Sequence, residues 1–90
     1  MFAQIGRVNM TSSVFTKKYE CFRELLVQSR KDAGVTQQAL AETLNKPQSF
    51  VSKYESGERR LDLVEFLDVS DALQFDKFQF IKTLEEKASK

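Results

Sequence analysis

Apolar residues recur along the chain at steps of three and four, the repeat of one buried helical face. Phe15, Tyr19, Phe22 and Leu26 make the first such stripe, predicting a helix over about 16–32 that Gly34 ends. Val35 and Thr36 open a second helix: Thr36 caps it, Val35 and Leu40 have the spacing of a hydrophobic staple, and Leu40, Ala41 and Leu44 give its inner side. It stops at Asn45, which tolerates a left-handed backbone better than most residues. Pro47, with no amide hydrogen to lose, suits the first position of a third helix that runs to Ser56 and breaks at Gly57. In a fourth, Asp62 and Glu65 form a capping-box pattern, Leu61 and Phe66 a staple, and Leu63, Phe66, Leu67 and Leu73 the buried side. The same grammar over Phe75–Phe80 opens a fifth helix, which runs into the charged "EEKASK" end. There is no strand alternation, repeat or low-complexity stretch. The expectation is an all-α, five-helix domain over residues 14–90, behind a flexible arm of residues 1–13 to which no role is assigned.

About three residues join the second and third helices, which suits a steep crossing such as a helix-turn-helix. Ala41 is small enough for the backbones to approach there, and Leu40, Leu44, Val51 and Tyr54 face inward. The rest of the third helix is unusual for a surface that needs only solubility. Gln48, Ser49, Ser52 and Lys53 are polar but mostly uncharged, where Glu–Lys pairs are the ordinary choice. Glutamine bonds adenine in two parallel contacts, lysine reaches guanine, serine adapts to several base edges, and Phe50 suits a thymine methyl. Any one of these alone is an ordinary solvated residue. Together, on a helix so thin in apolar residues, they predict a base-reading face.

The segment "VTQQALAETLNKPQSFVSKYESGERRLDLVEFLDVSDAL", residues 35–73, resembles the lambda-repressor-like helix-turn-helix domains of phage repressors and XRE-type bacterial regulators. The Thr-Gln opening, the Leu-Ala pair, the SxxSxxE core and the Gly-x-Arg loop carry the likeness, which with the first helix spans roughly 16–75. It implies a sequence-specific regulator of double-stranded DNA, commonly a homodimer on a palindromic operator. By position, Gln48, Ser49 and Lys53 match base contacts, with Phe50 and Ser52 on the same helix. Gln37 matches a phosphate clamp, and Ser56 and the loop to Arg59 and Arg60 match further backbone contacts; Lys46 is added for its charge. Asn45 stands where the family usually has glycine, and Pro47 where a Ser or Thr cap is common. Glu55 falls on an acidic family position, where a structural role in pairing Arg59 or Arg60 is expected.

Composition sharpens the reading in two places. The net charge of +1 conceals ten Lys/Arg against six Asp/Glu over residues 1–60, then four against seven over 61–90. That asymmetry suits one face for a polyanion, although chance scatter over a solvated surface yields it as readily. The chain has no histidine, a single cysteine and no glycine-rich phosphate loop. Imidazole chemistry is excluded, Cys21 beside the first helical stripe reads as a partly buried thiol, and neither an enzyme nor a cofactor is expected. No apolar run approaches the roughly 18 residues of a membrane span, and with no secretory stretch a cytoplasmic protein is expected. The fifth helix carries more apolar surface than one small core needs. Phe78 and Phe80 stand about 200° apart on the wheel, so one core cannot easily bury both; one edge of the helix is expected in the core and the other, drawn from Phe78, Phe80, Ile81 and Leu84, at a dimer interface. The competing reading of that surface is an antitoxin-like module that binds a protein partner, a toxin or a regulator.

Overall fold

In a computed structural model of the chain, residues 16–89 are described; the expectations for residues 1–13 and for Phe15 lie outside them. Five helices follow one another among the described residues: α1 Lys17–Asp32, α2 Gln37–Leu44, α3 Gln48–Ser56, α4 Leu63–Leu73 and α5 Lys77–Ala88. Their ends follow from local chemistry. The hydroxyls of Thr16 and Thr36 accept the amides of Tyr19 at 3.1 Å and Ala39 at 3.0 Å, opening α1 and α2. Asp62 and Glu65 form a complete capping box on α4, and Asp76 accepts two first-turn amides of α5. Asn45 and Gln74 close α2 and α4 in the left-handed conformation, with φ of 58° and 59°.

Two expectations at helix starts are corrected. Pro47 is the cap of α3 and not its first helical residue: its ψ is 155°, and its carbonyl accepts the Phe50 amide at 3.0 Å. A proline cap has no side-chain acceptor, so α3 begins without the hydroxyl bond that opens α2. Leu63, assigned to the buried side of α4, is 68% exposed. It is the first residue of that helix, one turn before Phe66, and the inward stripe is carried by Phe66, Val69 and Leu73.

Helix α2 packs on α3 and α4, and α1 packs across α3 and α5. Ala41 is buried, as a close approach of backbones requires, and Val51 and Tyr54 carry the inner side of α3 into the core. The other half of the core is aromatic. Phe80 stacks on Phe75 with ring centres 5.0 Å apart, and lies 5.1 Å from Phe66 and 5.9 Å from Phe22. Phe80 is therefore buried within its own chain and leaves the set of interface candidates. Burying one such ring is worth about 1.5–3 kcal/mol, with up to about 1.5 more for each favourable ring pair. Phe78, two residues earlier, is 74% exposed.

Candidate nucleic-acid interface

Helix α3 is held along one side and open along the other. Val51, Tyr54 and Glu55 are buried, while Gln48, Ser49, Lys53 and Ser56 are exposed and Ser52 is half-buried. Positions 48, 49, 52, 53 and 56 are linked by the three- and four-residue steps that share a helical face. The structure thus brings four of the five expected base readers together. Phe50 is the exception. Its ring is half-buried, meets Tyr54 edge-on at 5.6 Å, and carries Lys46 at 5.3 Å and the Arg59 guanidinium at 4.9 Å from its centre. It is a support between α3 and the following loop, with cation–π contacts on its ring.

What holds α3 in place comes from α1. The Glu55 carboxylate accepts Arg30 Nε at 2.7 Å and Nη2 at 3.1 Å, a bidentate pair whose side chains are only 12% and 6% exposed. Hydrogen bonding to Glu55 raises the Arg30 pKa further, against the opposing effect of burial. Arg30 Nη1 also donates to the Val35 carbonyl at 2.8 Å, tying α1 to the start of α2. Arg23 Nη1 donates to the Glu55 carbonyl at 2.8 Å, satisfying an acceptor that the end of α3 leaves open. Gly57 then turns the chain with φ of 91°; a Cβ there would meet Arg23 Nε at 3.4 Å. The expected partners of Glu55 are thus replaced by Arg30.

Gln37, at the first turn of α2, completes the network. Its Nε2 donates to Glu55 Oε1 at 2.8 Å, and its Oε1 accepts Gln48 Nε2 at a long 3.5 Å. The amide expected to clamp phosphate is therefore committed inward, and a chain of contacts runs from a buried ion pair to the first residue of the exposed face. Nothing in the spacing of the sequence pointed to Arg30 as its origin.

The basic loop is also partnered. Arg59 grips Glu65 through Nη2 at 2.7 Å and Nη1 at 2.9 Å, and its Nη1 reaches the Arg60 carbonyl at 3.0 Å. The hydrogen bonds from Arg59 and from the Asp62 amide hold the Glu65 carboxyl well below its ordinary range, at about 2. Arg60 lies over the Tyr19 ring at 4.1 Å. Lys46 is exposed, and no carboxylate lies within salt-bridge distance of it among the described residues. Ser56 is exposed and its hydroxyl donates to the Lys53 carbonyl at 3.1 Å.

Such an arrangement defines a helix-turn-helix protein, with α2 and α3 as the motif. The helix-turn-helix family model matches residues 26–78, from α1 into the start of α5. Among solved structures, the chain is similar to an XRE-family like protein from Pseudomonas syringae pv. tomato str. DC3000. The two are 40% identical, with a TM-score of 0.79, over 88% of this chain and 96% of that one. No curated protein sequence matches. The chain belongs to the XRE-type helix-turn-helix family of DNA-binding transcription regulators. No helix among the described residues is long and apolar enough to cross a membrane.

Proposed function

We propose that this regulator reads a specific duplex sequence through the exposed face of α3, as a homodimer on a palindromic operator. One observation carries the reading: Gln48, Ser49, Ser52 and Lys53 share a face whose opposite side is anchored by Val51, Tyr54 and Glu55. Gln48 is the strongest candidate for direct base contact, since its partner Gln37 is itself bonded to buried Glu55. Lys46 and Ser56 are the nearest phosphate contacts at the two ends of α3, with the Arg60 loop beside them. At Gln37 the phosphate role passes from the amide side chain to the main-chain amide, where a helix start favours an anion.

Dimerisation is assigned to the outer side of α5. Phe78 and Ile81 are 74% and 41% exposed one turn apart, and Ile81 and Leu84 border an apolar groove of about 170 Å³ with Leu63. A two-fold pair would offer two recognition helices to half-sites about one turn, roughly 34 Å, apart. The exposure of Leu63, Val64 and Phe78 also favours a second reading, an antitoxin-like module that covers this surface with a protein partner. That protein would copurify with its partner and discriminate little among DNA sequences.

The deciding measurement selects bound duplexes from a random pool, then compares wild type with Gln48→Ala on the selected site and on unrelated DNA. The substitution is expected to cost about 1–3 kcal/mol on the selected site and little elsewhere. Equal weakening on both would remove Gln48 from base reading.

A further inference from the structure

Two arginine–glutamate pairs flank the recognition helix, and they differ in burial. Arg30–Glu55 is sealed, with side chains 12% and 6% exposed, whereas Arg59–Glu65 is open to solvent at 42% and 19%. Arg59 is also tethered beside the interface: its amide donates to the Lys53 carbonyl at 3.2 Å, and its guanidinium lies over Phe50, whose ring Lys46 shares. A carboxylate gripping a guanidinium by two parallel bonds offers the geometry that two phosphate oxygens offer.

We propose that Glu65 is a built-in competitor for the DNA backbone, holding Arg59 in the free protein and yielding it to a phosphate when duplex binds. This inference rests on the DNA-binding reading and adds to it a residue that touches no DNA. Three observations support the exchange. Arg59 has donors left over, because a guanidinium carries five N–H groups and the structure commits three. Glu65 retains a structural bond when Arg59 leaves, since its Oε1 also accepts the Asp62 amide at 3.0 Å. An ion pair this exposed is weak in water, so a phosphate in a duplex, with its high charge density, is a sufficient rival. Lys46 also feels the Glu65 charge, but from beyond salt-bridge distance, so no bonded pair has to open before it can meet a phosphate.

The test is a double-mutant cycle on one fixed duplex, long enough for two half-sites, with affinity measured across a salt series. Glu65→Gln removes the competing charge and keeps an acceptor for the Asp62 amide, so the α4 cap survives. In the presence of Arg59 it is expected to tighten binding about 2- to 5-fold, the worth of an exposed pair. In an Arg59→Gln background the same change is expected to do nearly nothing. In the Glu65→Gln background, losing Arg59 is expected to lower the slope of log affinity against log salt by about 0.9, one phosphate contact. Equal gains with and without Arg59 would mean only a general loss of negative charge, and would overturn the proposal, as would no gain. A wild-type chain that binds no duplex would instead overturn the DNA-binding reading itself.

Discussion

Removing the Glu55 side chain separates two consequences of one buried contact. In Glu55→Ala three donors lose their acceptor: Arg30 Nε and Nη2, and Gln37 Nε2. The Arg30 side chain is 12% exposed, so water reaches little of the orphaned guanidinium. Breaking a buried pair from one side costs about 3–5 kcal/mol. Because Arg30 keeps its bond to the Val35 carbonyl, the lower end of that range is expected. In a domain of this size, about 3 kcal/mol lowers Tm by at least about 12 °C, out of a total stability of about 5–15 kcal/mol. Urea and thermal unfolding followed by circular dichroism read this directly. The double variant Arg30→Met with Glu55→Leu removes both charges at similar volume and is expected to regain most of the loss. It is still expected to discriminate poorly among DNA sequences, because nothing then holds Gln37 and, through it, Gln48. A loss below about 1 kcal/mol in Glu55→Ala would show the pair to be screened like a surface contact. A double variant with full sequence preference would show that the network does not position Gln48.

Two further expectations follow from other parts of the fold. Charging the outer side of α5 with Phe78→Asp is expected to give a folded monomer that binds its site weakly, where wild type is expected to sediment as a dimer at micromolar concentration. A wild-type monomer, or a dimeric variant, would move the interface away from α5. The Glu65 carboxyl titrates at about 2 in the fold against an ordinary 4.5, so its stabilising contribution is complete above pH 4.5. That contribution is lost as pH falls through about 2. The stability difference between wild type and Glu65→Gln should therefore be constant near neutrality and shrink from pH 4.5 downward; a difference independent of pH across that window would contradict the assigned pair.

Most helix ends, which depend on residues a turn apart, were legible in the sequence, although the starts of α3 and α4 at Pro47 and Leu63 were misread. Thr36 with Ala39 and Asp62 with Glu65 make the contacts their spacing predicts, while Asp76 makes half of its box: it accepts the Gln79 amide, and the Gln79 side chain turns to Thr83. The exposed face of α3 was legible for the same reason, since helical periodicity alone separates Gln48, Ser49 and Lys53 from Val51 and Tyr54. Long-range choices were not. Glu55 has Arg59 and Arg60 as basic neighbours in sequence, yet it takes Arg30 from 25 positions away, because α1 crosses α3 there. Arg59 turns instead to Glu65, six positions on. The wheel separated Phe78 from Phe80 but could not choose between them; the rings of Phe22, Phe66 and Phe75 decide it. Phe50 is a local exception: expected against a thymine methyl, its ring packs on Tyr54 one turn away. Gln74 adopts a left-handed backbone with no residue-type signal to announce it.

The same pairing chemistry, used twice around one helix, suits two different tasks because burial differs. Sequence reading needs side chains that stay put, since a base contact misplaced by a rotamer discriminates nothing. On the proposed reading, the sealed Arg30–Glu55 pair would provide this by holding Gln37, which Gln48 meets at a long 3.5 Å. Backbone binding needs charge that can follow a phosphate whose position shifts with local DNA shape. A cation fixed as firmly as Arg30 could not follow it, and one left wholly unheld would lose more side-chain freedom on binding. Arg59 lies between these limits, tethered through Phe50 and its own main chain, and held by a carboxylate that solvent can reach. On the proposed reading, affinity and selectivity would be adjustable at separate residues: Glu65 would set how readily any duplex is taken up, and Glu55 how sharply one sequence is told from another.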